Sequence, residues 1–135
     1  MILADTSAWV EFDRATGSPV DVRLTDLIAD DGPVAVTEPV IMEVLAGARS
    51  NTREADLRRL LLRFHLYAFD PAADFDGAVR LYRQCRKAGI TPRGLTDCMI
   101  AAVTWRCQAS LLTCDTDLQH IAAIAGINLD QPPPK

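Results

Sequence analysis

The sequence has little of what most enzyme chemistries rely on. It holds only two histidines, His65 and His120, and their positions give no metal-pair spacing, so both read as structural. Cys85, Cys98, Cys107 and Cys114 are scattered without a CxxC pair, which argues for free thiols rather than disulfides or a zinc site. No GxxxxGK loop, GxGxxG turn or GxSxG elbow is present, which leaves P-loop, dinucleotide and serine-hydrolase chemistry without support. No apolar run approaches the roughly 20 residues of a membrane span. Met1-Ile2-Leu3-Ala4 lacks a basic leader, is too short for a signal-peptide core and is followed at once by Asp5, so a cytoplasmic protein is the expectation. Positive charge is scarce as well. Fourteen Lys and Arg face 18 Asp and Glu, a net −4 that gives a general nucleic-acid binder a weak footing.

What is present suits one ordinary globular domain. At 135 residues, 49% hydrophobic and 24% charged, the chain can bury a core without staples. Short apolar runs at 2–4, 34–36, 65–69 and 110–113 predict strands. Between them, helical spacing links Trp9 with Phe12, then Val20, Leu24, Leu27 and Ile28, and Leu57, Leu60, Leu61 and Phe64. Thr37 is expected to cap a helix reaching Gly47, and Asp70 one lined by Phe75, Ala78, Val79 and Tyr82. The stretch from Gly94 to Trp105 is apolar nearly all round, the mark of a buried helix, with Thr96 as its expected cap. Leu118, Ile121, Ala122 and Ala125 predict a last helix, and 126–129 an edge strand. Alternating strands and helices argue an α/β fold with a mainly parallel sheet covered on both faces. Residues 1–130 read as a single domain and the Pro-rich 131–135 as a frayed tail.

In such a sheet the carboxyl ends of the strands share one edge, where ligands bind and where the following helices begin. Asp5 follows the first strand and Asp115 and Asp117 follow the fourth, while Asp97 lies in the first turn of the buried helix. Glu43 is about six residues into its helix, on the order of 9 Å along the axis, with Gly47 beside it to leave room. Singly, each acid is as well explained as a helix cap or a rim charge. Together they would repel one another unless a cation neutralises them, and an all-carboxylate set selects Mg²⁺ or Mn²⁺ over Zn²⁺. Arg93 is the one nearby base that could fold back onto them, and it is the preferred phosphate contact. Thr6, Ser7 and Thr113 are candidates to support ligands by hydrogen bonds. Setting the five acids aside leaves 14 basic groups against 13 of the 18 acidic ones, so the acidity is local to the site. The stripes Arg80, Arg83, Lys87 and Arg58, Arg59, Arg63 read as solvated helix faces.

Four segments carry a resemblance: Ile2-Leu3-Ala4-Asp5-Thr6-Ser7, Glu43-Val44-Leu45-Ala46-Gly47, Thr96-Asp97-Cys98-Met99-Ile100-Ala101-Ala102 and Thr113-Cys114-Asp115-Thr116-Asp117-Leu118. In order and spacing they resemble the successive motifs of PIN-domain ribonucleases, and the overall size resembles the VapC toxins of toxin–antitoxin pairs. The resemblance implies a three-layer α/β/α fold and an endonuclease that cuts RNA with one or two Mg²⁺ or Mn²⁺ ions, leaving a 5′-phosphate and a 3′-hydroxyl. It also implies a homodimer or toxin–antitoxin hetero-oligomer, inhibited by a small VapB antitoxin. By matching position, Asp5, Glu43, Asp97 and Asp115 would form the acidic quartet, with Asp117 a possible fifth acid. Asp5, Asp97, Asp115 and Asp117 are the candidate metal ligands, and Arg93 and Thr6 the candidate substrate contacts. Leu118 stands where the family more often has Phe, which touches packing rather than chemistry. Two alternatives compete: a partner-binding module that keeps the fold without cleaving, and a phosphoaspartyl enzyme of the dehalogenase type. The latter wants a second acid two residues after Asp5, where this chain has Ser7.

Overall fold

The computed structural model describes residues 1–130; the Pro-rich tail at 131–135 lies outside the described residues. Four short strands, β1 (Ile2–Ala4), β2 (Val34–Val36), β3 (His65–Leu66) and β4 (Ser110–Leu112), pair in parallel in the order β3-β2-β1-β4. Ile2 registers with Val34 on one side and Ser110 on the other, so β1 is the central strand. It is apolar end to end because both of its faces are covered, and Leu3 and Ala4 are wholly buried.

Seven helices connect the strands: α1 (Thr6–Arg14), α2 (Pro19–Ala29), α3 (Glu38–Ala46), α4 (Asn51–Leu61), α5 (Pro71–Lys87), α6 (Leu95–Arg106) and α7 (Thr116–Ala125). The order β1, β2, β3 steps outward in one direction, and the chain then returns across the sheet to β4. Right-handed crossovers therefore put α1–α4 on one face and α5–α7 on the other. The packing agrees, since α1 meets α2 and α3, α3 meets α4, and α5, α6 and α7 meet one another. The result is a three-layer α/β/α domain. Among the described residues, no helix is long and apolar enough to cross a membrane.

α6 is the buried helix that its composition predicts: Cys98 and Ile100 through Thr104 are all buried. It packs antiparallel to α5. Asp74, near the start of α5, takes a two-pronged ion pair from Arg106 at the end of α6, with N···O distances of 2.9 and 2.8 Å. A Cβ added at Gly77 would stand 3.2 Å from the Cβ of Ala102, so glycine lets the two helices approach closely.

Several local expectations are corrected. α6 begins two residues earlier than a Thr96 cap requires: Gly94 is its N-cap, without a side-chain bond, and Thr96 lies within the first turn. Thr37 does occupy the N-cap position of α3, but its buried hydroxyl finds no partner among the described residues. The buried face of α5 runs through Asp74, Ala78 and Cys85, leaving Phe75 and Val79 half exposed, because an ion-paired acid rather than an apolar residue faces α6. β3 is two residues long; the ladder ends where Tyr67 N–H donates to Val36 O at 2.8 Å. The expected edge strand at 126–129 is reduced to a single bridge between Leu111 and Leu129. Gly47 is not needed for space, since a Cβ there would meet Glu43 O at an ordinary 3.5 Å.

Candidate active site

β1 and β4 are neighbours, yet their chains leave toward opposite faces, α1 to one and α7 to the other. That makes their carboxyl ends the switch point of the sheet, where a crevice opens in parallel α/β folds. Asp5 stands there. It caps α1, with Oδ1 accepting from Ala8 N–H at 2.9 Å and from the Ser7 hydroxyl at 2.7 Å. Its Oδ2 accepts from the Thr113 hydroxyl at the end of β4, at 2.5 Å. Ser7 in turn accepts from Cys114 N–H at 3.1 Å, and Thr113 from Asp115 N–H at 3.0 Å. The hydroxyls thus stitch the β1–α1 and β4–α7 junctions together around one carboxylate. Burial pushes the Asp5 carboxyl up to about 6, against the pull of these donors.

Glu43 reaches the same region from α3, its Oε1 accepting from the Thr6 hydroxyl at 2.6 Å. Thr6, expected to touch substrate, here donates its hydroxyl proton to Glu43. Asp115 caps α7 through Leu118 N–H at 3.1 Å, and Asp117 follows in the first turn. Asp97 looks into this group from the first turn of α6. Its carboxyl is pushed up to about 6 by burial first, then by the negative charges of Asp115, Glu43, Asp117 and Asp5. All five acids found in the sequence are brought together, and Asp97 feels every other one.

Arg93 does fold back. Its Nη2 donates to both oxygens of Asp115, at 3.0 and 2.9 Å, and its backbone N–H donates to Asp117 Oδ2 at 2.9 Å. The sequence marked Arg93 as a phosphate contact, whereas here it neutralises two of the acids. Its place directly before Gly94 and the acid-bearing helix was the available signal. In the other basic stripes, Arg58 pairs with Glu54, Arg59 with Asp56 and Arg80 with Asp76, while Arg63, Arg83 and Lys87 form no ion pair among the described residues. His65 and His120 are exposed and belong to no cluster. Cys98, beside Asp97, is an unreactive thiol, pushed up to about 12 chiefly by burial.

The donor set is carboxylate and hydroxyl oxygen throughout, which matches a hard divalent cation. Among the described residues, no group of three or more His, Cys, Asp or Glu side chains stands close enough together to hold a metal ion. An open arrangement of one or two carboxylates completed by water is how Mg²⁺ is usually bound. The residues fit such an ion.

A PIN-domain family model matches residues 2–124. Ribonuclease VapC11 of Mycobacterium tuberculosis is 41% identical over 128 residues, spanning 94% of this chain and 96% of that protein. Ribonuclease VapC32 of the same organism is 33% identical over 129 residues, spanning 96% of each. Solved structures agree on the fold: VapBC2 from Rickettsia felis, bound to a promoter DNA fragment, superposes with a TM-score of 0.73 at 18% identity, covering 96% of this chain and 98% of that one. The sarcin–ricin-loop-cleaving toxin VapC20 of M. tuberculosis gives 0.70 at 16% identity, covering 98% and 100%. With five acids gathered at the switch point of a three-layer domain and relatives at this identity along its length, the chain belongs to the PIN-domain family, among the VapC ribonucleases.

Proposed function

We propose that this VapC-family ribonuclease is a Mg²⁺- or Mn²⁺-dependent endoribonuclease toxin, held in check by a cognate antitoxin. The observation that carries the reading is the position of Asp97, half-buried and exposed to the charge of four other acids from three further segments. Natural selection for stability alone gives no reason to keep that repulsion, whereas a site for a divalent cation does.

Asp5, Asp97 and Asp115 would hold the cation, with Asp117 at the margin. A bound ion would polarise a phosphoryl oxygen and lower the pKa of water for in-line attack on the phosphodiester. Asp5 is fixed by three donors, which leaves one lone pair of its carboxylate for a ligand. Asp97 is fixed by the buried body of α6. Glu43, steered by Thr6, is placed to orient the attacking water and to receive its proton. Arg93 is the cation at hand for the phosphate. The dehalogenase-type alternative weakens further, because Ser7, where that chemistry wants an acid, has its hydroxyl committed to Asp5.

The VapBC and FitAB complexes among the structural neighbours support an antitoxin partner. Half-exposed Phe75 and Val79 on α5 offer apolar surface for a second copy or for that partner. The test is cleavage of total cellular RNA by purified protein with Mg²⁺ or Mn²⁺, set against EDTA and against Asp97→Asn. Metal-dependent cuts that vanish in the variant support the reading. Cleavage unchanged by either treatment overturns it.

A further inference from the structure

The geometry of Arg93 points to a role beyond that of a phosphate contact. Its Nη2 lies 3.0 and 2.9 Å from the two oxygens of Asp115, nearly equidistant, and so sits on the bisector of the carboxylate. That is also the position of a cation chelated by both oxygens of one carboxylate. The Asp115 side chain is one-quarter exposed and that of Arg93 71% exposed, so the guanidinium can leave into water without a buried rearrangement. The backbone of residue 93 is held separately, by its N–H bond to Asp117 Oδ2 at 2.9 Å. The side chain can therefore swing while its root stays beside the site.

We propose that Arg93 is an exchangeable counter-cation: it occupies Asp115 while the site lacks a divalent ion, and yields that place when the ion binds. The freed guanidinium, still rooted next to Asp117, is then available to the RNA phosphate. One side chain thus stabilises the empty acid cluster and serves substrate in the loaded one. The exposed ion pair is weak enough to be displaced, since exposed pairs contribute at most about 1 kcal/mol. A divalent charge competes for the carboxylate on favourable terms. The inference rests on the metal-dependent reading given above, and the two can fail separately.

The test measures binding of Mn²⁺ alone to the RNA-free protein, following free Mn²⁺ by its paramagnetic resonance signal. Arg93→Gln is compared with wild type and with Arg59→Gln, which removes a paired arginine on α4. Loss of the competitor should tighten Mn²⁺ binding of Arg93→Gln by about 2- to 5-fold, the fold-change set by a weak exposed pair, and leave Arg59→Gln at the wild-type value. Arg93→Lys, which keeps the charge, should fall between wild type and Arg93→Gln. With Ca²⁺ in place of Mn²⁺, Arg93→Gln should also bind a single-stranded RNA more weakly than wild type. Unchanged or weaker Mn²⁺ binding by Arg93→Gln, with wild type binding normally, overturns the exchange and leaves the metal site standing. Failure of wild type itself to bind Mn²⁺ overturns both.

Discussion

The Thr6 hydroxyl donates to Glu43 Oε1 at 2.6 Å, joining two helices whose bonded residues lie 37 positions apart in sequence. Thr6 is the first residue of α1 and follows Asp5 directly, so the strand end that presents one acid also presents the donor that aims another. Thr6→Val keeps the shape and removes the donor. Glu43 would then rotate freely toward water, and stability should fall by about 1 kcal/mol. Cleavage should fall about 10- to 100-fold through kcat, as expected when a general base loses its orientation. Mn²⁺ binding should hold, because Glu43 is placed outside the main ligand set. Thr6→Ser should restore most of the activity. A Thr6→Val variant with wild-type kcat would show that Glu43 needs no steering.

Stability and activity should move in opposite directions at Asp97. Both Asp97 and Asp5 have carboxyls raised from 3.8 to about 6, so folding favours their protonated forms. Between about pH 4 and pH 6 the folded state holds more protons than the unfolded one, and the stability they contribute is lost as pH rises through that window. Asp97→Asn mimics the neutral acid at every pH. In the metal-free protein it should therefore raise Tm by a few degrees at pH 7 and by much less at pH 5, while abolishing cleavage. Differential scanning fluorimetry at the two pH values reads the effect. An Asp97→Asn protein less stable than wild type at pH 7 would mean that the carboxylate is structurally favoured, contrary to the burial and repulsion seen here.

The strand ends and the acids were legible in the sequence because both obey short-range rules. A run such as Ile2-Leu3-Ala4 closed by Asp5 reads directly as a buried strand passing into a capped helix, and the structure bears it out. The parallel topology then sends the acids to one edge without any knowledge of tertiary contacts. What was not legible depended on partners far away in the chain. Phe75 and Val79 keep helical spacing, yet α5 turns its Asp74 face inward because Arg106, 32 residues later, is there to pair with it. Thr96 looks like a cap, but Gly94 adopts the extended conformation that starts α6 first. Arg93 reads as a loop base from sequence, and only the fold shows that its guanidinium lies across Asp115.

The Asp74–Arg106 pair should be the most sensitive point remote from the acids. The Asp74 side chain is 2% exposed, and besides Arg106 its carboxylate also accepts from Asp70 N–H at 2.8 Å. Arg106 further donates to Ala68 O at 2.8 Å, tying the segment after β3 to the end of α6. Arg106→Ala would leave a buried carboxylate without its counter-charge, a loss of about 3–5 kcal/mol in comparable sites. The expected fall in Tm is on the order of 10 °C or more. Arg106→Ala combined with Asp74→Asn should recover part of it, since the stranded charge is gone. Double-mutant thermal melts settle the coupling, and a simple sum of the two single effects would argue against it.

The last turn of α5 gives a prediction about how RNA is held. Arg83, Arg86 and Lys87 are exposed, form no ion pair among the described residues, and border a shallow hollow of about 320 Å³. This turn lies near the acids: the charge of Asp117 reaches buried Cys85, and the loop from Ala88 onward leads directly to Arg93. If the acids form the nuclease centre proposed above, three unpaired cations near them would neutralise phosphates flanking the one that is cut. Each phosphate neutralised on a single strand contributes about 0.7 to the slope of log affinity against log salt. Changing all three to Gln in the non-cleaving Asp97→Asn background should therefore reduce that slope by about 2. Neutralising Arg58 and Arg59, already paired on α4, should leave it nearly unchanged. Fluorescence anisotropy of a labelled single-stranded RNA across a salt series measures both. Equal slopes for the two sets would place the RNA elsewhere, and would leave the charge at the end of α5 as compensation for the negative pole of that helix.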